Sequence, residues 1–122
     1  MARRRFDPDG FLPLTPTMFY VLVALAGGDK HGYAIIKDVQ RRTDGKVRLS
    51  AGTLYPIMRR FEEAGLIVEC DERPDPALDD ERRRYYRLSD EGRAVALAEA
   101  KRMETAVDRA RAALFGRKPR TA

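Results

Sequence analysis

One histidine and one cysteine limit the chemistry open to this chain. His31 and Cys70 fall on different predicted elements, so they supply neither a structural zinc site nor a nucleophile with its base. No glycine-rich phosphate loop is present. The inventory implies no enzyme, no metal and no cofactor. A single cysteine excludes an intrachain disulfide and suits a reducing compartment. On a strand, Cys70 reads as a small apolar filler, with a redox sensor as the alternative.

The remaining chemistry is charge, and its distribution matters more than the net +5. From Lys30 to Arg60, eight basic residues (Lys30, Lys37, Arg41, Arg42, Lys46, Arg48, Arg59, Arg60) stand against two acids, Asp38 and Asp44. From Phe61 to Asp108 the balance reverses, with fourteen acids against eight bases. One segment is therefore positive enough to attract a polyanion, while a solvated helical face is the plainer alternative.

Within that segment Ser50 has the type and position of an N-cap, and Gly65 that of a helix stop, so a helix is expected over about Ala51 to Ala64. With Leu54 at the centre of its inner face, Ile57, Met58 and Phe61 lie within about 60° at 100° per residue. Gly52, Pro56, Arg59, Arg60 and Glu63 fall opposite, with Thr53 and Tyr55 on the flanks. The Pro56 ring is aimed at the carbonyl of Gly52, which predicts a kinked or tightened first turn in one continuous helix.

Other elements must position this one. Residues 1–12 carry charge, Pro and Gly without periodicity and read as a flexible basic arm. The arginines of Met1-Ala2-Arg3-Arg4-Arg5 are not followed by the apolar stretch of a signal peptide. Thr15-Pro16 opens a helix that is apolar nearly all round, ended by Gly27-Gly28. A second helix is expected from about His31 to Thr43, with Tyr33, Ile36, Val39 and Ile35 as candidates for its inner face and Lys37, Gln40, Arg41 and Arg42 outside. Leu66–Asp71 and Arg84–Leu88 read as two strands of a hairpin across the loop Pro74–Asp80. Tyr85 and Tyr86 alternate there, so one is expected in the core and one outside. Ser89 then caps a helix from Asp90 to about Phe115, followed by a basic tail, 116–122, expected to be disordered. The order defines a mainly α fold with a small β-hairpin (α+β), a winged helix-turn-helix over 13–88 with a C-terminal helix over 89–115. No apolar run approaches the roughly 20 residues of a membrane span, and the protein is expected in the cytoplasm.

The stretch from Ser50 to Ile67, with His31-Gly32-Tyr33 before it and Arg83-Arg84-Tyr85-Tyr86-Arg87-Leu88-Ser89 and Gly92 after it, resembles the PadR family of transcriptional regulators. The likeness spans about Leu14 to Met103. It implies a dimeric repressor on a palindromic DNA operator, dimerising through the C-terminal helix, in the compact branch of the family. The acidic loop from Arg73 to Glu81 departs from a wing that approaches DNA, and Met58 and Phe61 stand where leucine is more usual.

On that reading Ser50 and Gly52 begin the recognition helix, and Gly52 admits close backbone approach. Thr53, Tyr55 and Pro56 present groups suited to base edges and thymine methyls. Arg59 and Arg60 reach phosphates on either side, while Lys37, Arg41, Arg42, Arg82, Arg83 and Arg84 hold flanking backbone. Tyr55 has a second reading as a core aromatic, and Arg82 to Arg84 as neutralisers of Asp79, Asp80 and Glu81. In the last helix Ala96, Ala100, Met103, Val107, Ala110 and Leu114 follow spacings of four and three, a heptad seam suited to a homodimer. The alternative is a helix folded back on its own domain. Any small-molecule effector, specified by no residue cluster, would lodge between wing and dimer helices. A winged-helix adaptor binding a protein partner, favoured by the acidic loop, is the competing function.

Overall fold

The computed structural model describes residues 5–70 and 84–115. Helix α1 (Pro16–Ala26) is followed by β1 (Lys30–His31), α2 (Gly32–Arg42), α3 (Ala51–Glu63), β2 (Ile67–Cys70), β3 (Tyr85–Leu88) and α4 (Asp90–Phe115). The expected caps are in place. Thr15 Oγ1 accepts the N–H of Met18 at 3.1 Å, with Pro16 in the first helical position. Gly65 follows α3 with φ +79°, a conformation that glycine adopts without steric cost.

β3 lies in the middle of a three-stranded antiparallel sheet of order β1-β3-β2. β1 was not foreseen. It is two residues long and pairs Lys30 with Tyr86 and His31 with Tyr85. This explains why Tyr85 and Tyr86 are both buried, against the expected alternation. Tyr86 belongs to the core, while Tyr85 has Cys70 opposite on one side and His31 on the other, the His31 ring edge-on at 5.2 Å.

The core is built from Val21, Leu22 and Leu25 of α1, Ile35 and Val39 of α2, Leu54, Met58 and Phe61 of α3, and Leu66, Ile67 and Val95 beyond. Ile57 is half-buried at its edge. In α2 the inner face is turned from the expected one: Ile35, Asp38 and Val39 are buried, and Tyr33 is 59% exposed. A buried carboxylate needs partners. Asp38 finds them in Arg41 Nη2 at 3.0 Å and Arg42 Nε at 2.6 Å.

Two joints fix α4 to the domain. The Ser89 hydroxyl donates to the Gly65 carbonyl at 2.6 Å and accepts the Gly92 N–H at 3.0 Å, binding the helix start to the turn after α3. A Cβ on Gly92 would collide with the Leu66 carbonyl oxygen, so α4 crosses where only glycine fits. One helical span later, buried Glu99 accepts the Leu14 N–H at 2.9 Å and two hydrogen bonds from Arg102. Where residues 1–12 were read as an arm, Pro8–Phe11 forms a 3-10 helix, capped by Asp7 and packed on α4. Residues 1–4 and 116–122 lie outside the described residues.

Candidate nucleic-acid interface

Ser50 Oγ accepts the Thr53 N–H at 3.3 Å and so starts α3, which runs unbroken through Pro56. The first turn is tight, as expected, with Thr53 N–H reaching the Ser50 carbonyl at 3.1 Å. Burying Leu54, Met58 and Phe61 leaves Gly52, Thr53, Tyr55, Pro56, Arg59 and Arg60 exposed. Around Gly52, a Cβ would find no atom nearer than Ser50 Oγ at 3.9 Å. Packing within the chain therefore does not demand glycine there. The backbone of this face is open to solvent at Gly52.

Tyr55 fits neither of its two sequence readings fully. It is 47% exposed, yet its hydroxyl lies over Gly32, where a Cβ would collide with it. The ring therefore bridges α3 to the start of α2 while staying half exposed beside Thr53 and Pro56.

Beside Tyr55 a concavity of about 450 Å³ opens between α2, α3 and β3, lined by His31, Gly32, Tyr33, Tyr55, Arg59, Arg84 and Tyr86. Two guanidinium groups from separate elements face it, and none of these residues is acidic. Arg84 also reaches Glu69 Oε1 at 3.5 Å, an exposed pair that constrains it little. Burial raises the Tyr86 phenol above its ordinary pKa, so at neutral pH it is a neutral donor. His31 caps α2, its Nδ1 accepting the Ala34 N–H at 3.2 Å. Behind the sheet Arg87 donates to Asp29 at 2.8 Å and holds that carboxyl below its usual range.

Arg60, next to Arg59 in sequence, departs to the other flank of α3, beside the segment that precedes α1. Lys37 is exposed, its Nζ 5.3 Å from the centre of the Tyr33 ring, an exposed cation–π contact. Arg41 and Arg42 share Asp38, so together they carry one net positive charge to the surface. Tyr33 was missed as a surface residue because the apolar period of α2 admitted it to the inner face. Arg82, Arg83 and the acidic loop lie outside the described residues.

The seam on α4 is divided. Ala96 packs against the core and Met103 is half-buried, while Ala100, Val107, Ala110 and Leu114 are exposed. Leu97 and Phe115, absent from the seam, are also exposed at 65% and 80%. No described helix is long and apolar enough to cross a membrane.

The fold is a winged helix whose third helix turns Gly52, Thr53, Pro56, Arg59 and Arg60 outward. The chain belongs to the transcriptional regulator PadR-like family, whose sequence profile matches residues 21–98. It is 35% identical over 83 residues to the transcriptional regulator Rv3488 of Mycobacterium tuberculosis, covering 68% of this chain and 70% of that protein. It is 34% identical over 70 residues to the transcriptional regulator YqjI of Escherichia coli, covering 57% of this chain but only 31% of that protein. In fold it is similar to a PadR family transcription regulator from Clostridium difficile R20291, with a TM-score of 0.66, 24% identity, and 84% and 100% of the two chains covered. The chain is thus a member of a family of transcriptional regulators, and it spans less than a third of the Escherichia coli relative's length.

Proposed function

We propose that the protein is a homodimeric repressor that binds a palindromic operator in the cytoplasm, laying α3 in the major groove with the wing alongside. The observation that carries this is the pairing of the exposed Gly52-to-Arg60 face with the concavity in which Arg59 and Arg84 converge. Thr53 and Pro56 are then the base-edge readers. Arg59 and Arg84 take a phosphate on the wing side, and Arg60 takes one on the opposite flank. Lys37, Arg41 and Arg42 add long-range attraction to flanking backbone. Dimerisation is supported by Glu104–Phe115, every residue of which is exposed in the isolated chain. A helical stretch of that length is marginal in water without a partner.

The test is fluorescence anisotropy with duplexes tiling the region upstream of the gene, against random duplex, at several salt concentrations. The expected result is one preferred palindrome, bound by two chains, with affinity falling steeply as salt rises. Equal affinity for every duplex would overturn specific recognition. Absence of any binding would return the adaptor reading. A reporter driven from the bound promoter should fall when the protein is supplied, which decides repression against activation.

A further inference from the structure

Of the eight basic residues between Lys30 and Arg60, half are already engaged within the chain. Lys30 Nζ donates to the Ala24 carbonyl at 2.7 Å, Lys37 lies by the Tyr33 ring, and Arg41 and Arg42 share Asp38. The other four, Lys46, Arg48, Arg59 and Arg60, have no carboxylate partner among the described residues. Arg59 and Arg60 were given phosphates above. Lys46 and Arg48 stand in the turn from α2 to α3, and both are exposed. That turn is firmly built. Asp44 and Gly45 take φ of +52° and +76° and reverse the chain in two residues. The N–H groups of Gly45 and Lys46 donate to the carbonyls of Gln40 and Thr43 at 2.8 and 2.9 Å. The Val47 N–H donates to Thr43 Oγ1 at 3.1 Å.

Between this turn and α2 lies a concavity of about 470 Å³. Ile36, Val47 and Leu49, half-buried against the core, form its apolar wall. Exposed Gln40 also lines it, and Arg48 is the one charged side chain among its lining residues. The Ser50 hydroxyl is spent on Thr53 at the start of α3, so the guanidinium and the amide are the groups left to donate. An apolar wall beside two such donors matches a sugar-phosphate unit, in which anionic oxygens adjoin an apolar ring. We propose that this concavity is a second DNA-backbone site, with Arg48 and Gln40 on a phosphate and the adjoining deoxyribose against Val47 and Leu49. Its phosphate belongs to the strand across the groove from the one held by Arg59 and Arg84. Spacing supports that division. Tyr33 of the wing-side concavity and Gln40 of this one are about 10 Å apart along the α2 axis, and Ser50 and Arg59 about 13 Å along α3. The major groove is roughly 12 Å wide. Gly52, Thr53 and Pro56 then face the bases from between two backbone grips. The assignment rests on the DNA-binding reading and adds to it the hold on the second strand.

Two variants that remove the same charge test it. Arg48→Ala takes away an unpartnered guanidinium, Arg41→Ala one that shares Asp38. Arg48→Ala should weaken operator and random duplex alike, about fivefold per subunit at 0.15 M salt, and make the slope of log affinity against log salt shallower by about one per subunit. Arg41→Ala should change the slope by less than half as much, and Arg48→Lys should keep it, all three variants being checked for native melting. Operator duplexes carrying single neutral methylphosphonate linkages then locate the contact. A linkage that weakens wild type but not Arg48→Ala should lie on one strand, and the linkage silent in Arg59→Ala on the other. Inorganic phosphate replacing chloride at equal ionic strength should not shift the Gly45 amide saturably. A saturable shift would make this a free-anion site and overturn the DNA assignment. Equal slopes for Arg48→Ala and Arg41→Ala, or both linkages on one strand, would also overturn it. An unchanged slope in Arg48→Ala with a loss in Arg59→Ala would remove this site alone. A wild-type chain indifferent to every duplex would overturn the DNA-binding reading and this site with it.

Discussion

At the scale of single residues, neighbours in sequence do different work because a helix turns about 100° per residue. Arg59 lines the wing-side concavity and Arg60 the one on the opposite flank, so in the proposed complex each substitution reports on one side of the DNA. Arg59→Ala should weaken binding to operator and random duplex comparably and make the slope of log affinity against log salt shallower by about one per subunit. Thr53→Ala should instead cost about 1–3 kcal/mol at the operator and little on random DNA. Salt titrations of both variants on both duplexes check the pair, and a Thr53→Ala loss that ignores sequence would remove it from the base readers. Gly32→Ala tests the bridge from α2 to α3. A methyl there meets the Tyr55 hydroxyl and must push the ring outward. The expected cost is about 1–3 kcal/mol of stability, with weaker operator binding as α3 is displaced. A double variant carrying Tyr55→Ala as well should recover the packing part of that loss in denaturant titration.

At the scale of elements, the segment before α1 is tied to α4 by a buried charge. The hydrogen bonds from Arg102, and after them the N–H of Leu14, hold the Glu99 carboxyl below its ordinary pKa despite burial. A lowered folded pKa stabilises the protein above the ordinary carboxylate range, and that contribution is lost as pH falls through the folded value. Melting temperatures taken from neutral pH downward should therefore drop more steeply for wild type than for Glu99→Gln. Glu99→Ala should cost about 1–3 kcal/mol at neutral pH, because it leaves the Leu14 N–H unpaired. Parallel melting curves for wild type and Glu99→Gln would exclude the pair as a source of pH dependence. No periodicity announced this tie. The helices were legible because their ends are written locally, in Thr15-Pro16, Ser50, Ser89 and Gly65. β1 was not, since two residues become a strand only when β3 offers an edge. Asp38 and Glu99 were not legible either, because only the arginines one turn later make their burial tolerable. At the interface, the exposed face of α3 followed from the placement of Leu54. The convergence of Arg59 with Arg84 and the outward turn of Tyr33 depended on how α2 and β3 pack.

At the scale of the molecule, the wing and recognition helix sit at one end of a construction whose other end is unfinished. α4 has 26 residues, about 39 Å at 1.5 Å per residue, and only its first half packs on the domain. Beyond it Val107 is 49% and Leu114 77% exposed on the face that Met103 begins, an arrangement that a second α4 would cover. Two winged helices joined through such a pair can present their recognition helices about one turn of DNA, roughly 34 Å, apart. The double variant Val107→Glu, Leu114→Glu separates assembly from folding, because neither side chain supports the isolated domain. Sedimentation should show wild type at twice the 13.9 kDa chain mass and the variant at that mass. The variant should keep the near-ultraviolet signature of its tyrosines while losing helicity in the last turns of α4. Its operator affinity should fall by orders of magnitude, towards that for half a palindrome. A wild-type chain that sediments at single mass at micromolar concentration would remove the dimer from the proposal. Recognition would then rest on one α3 and one wing, and the preferred duplex would have no need of two-fold symmetry.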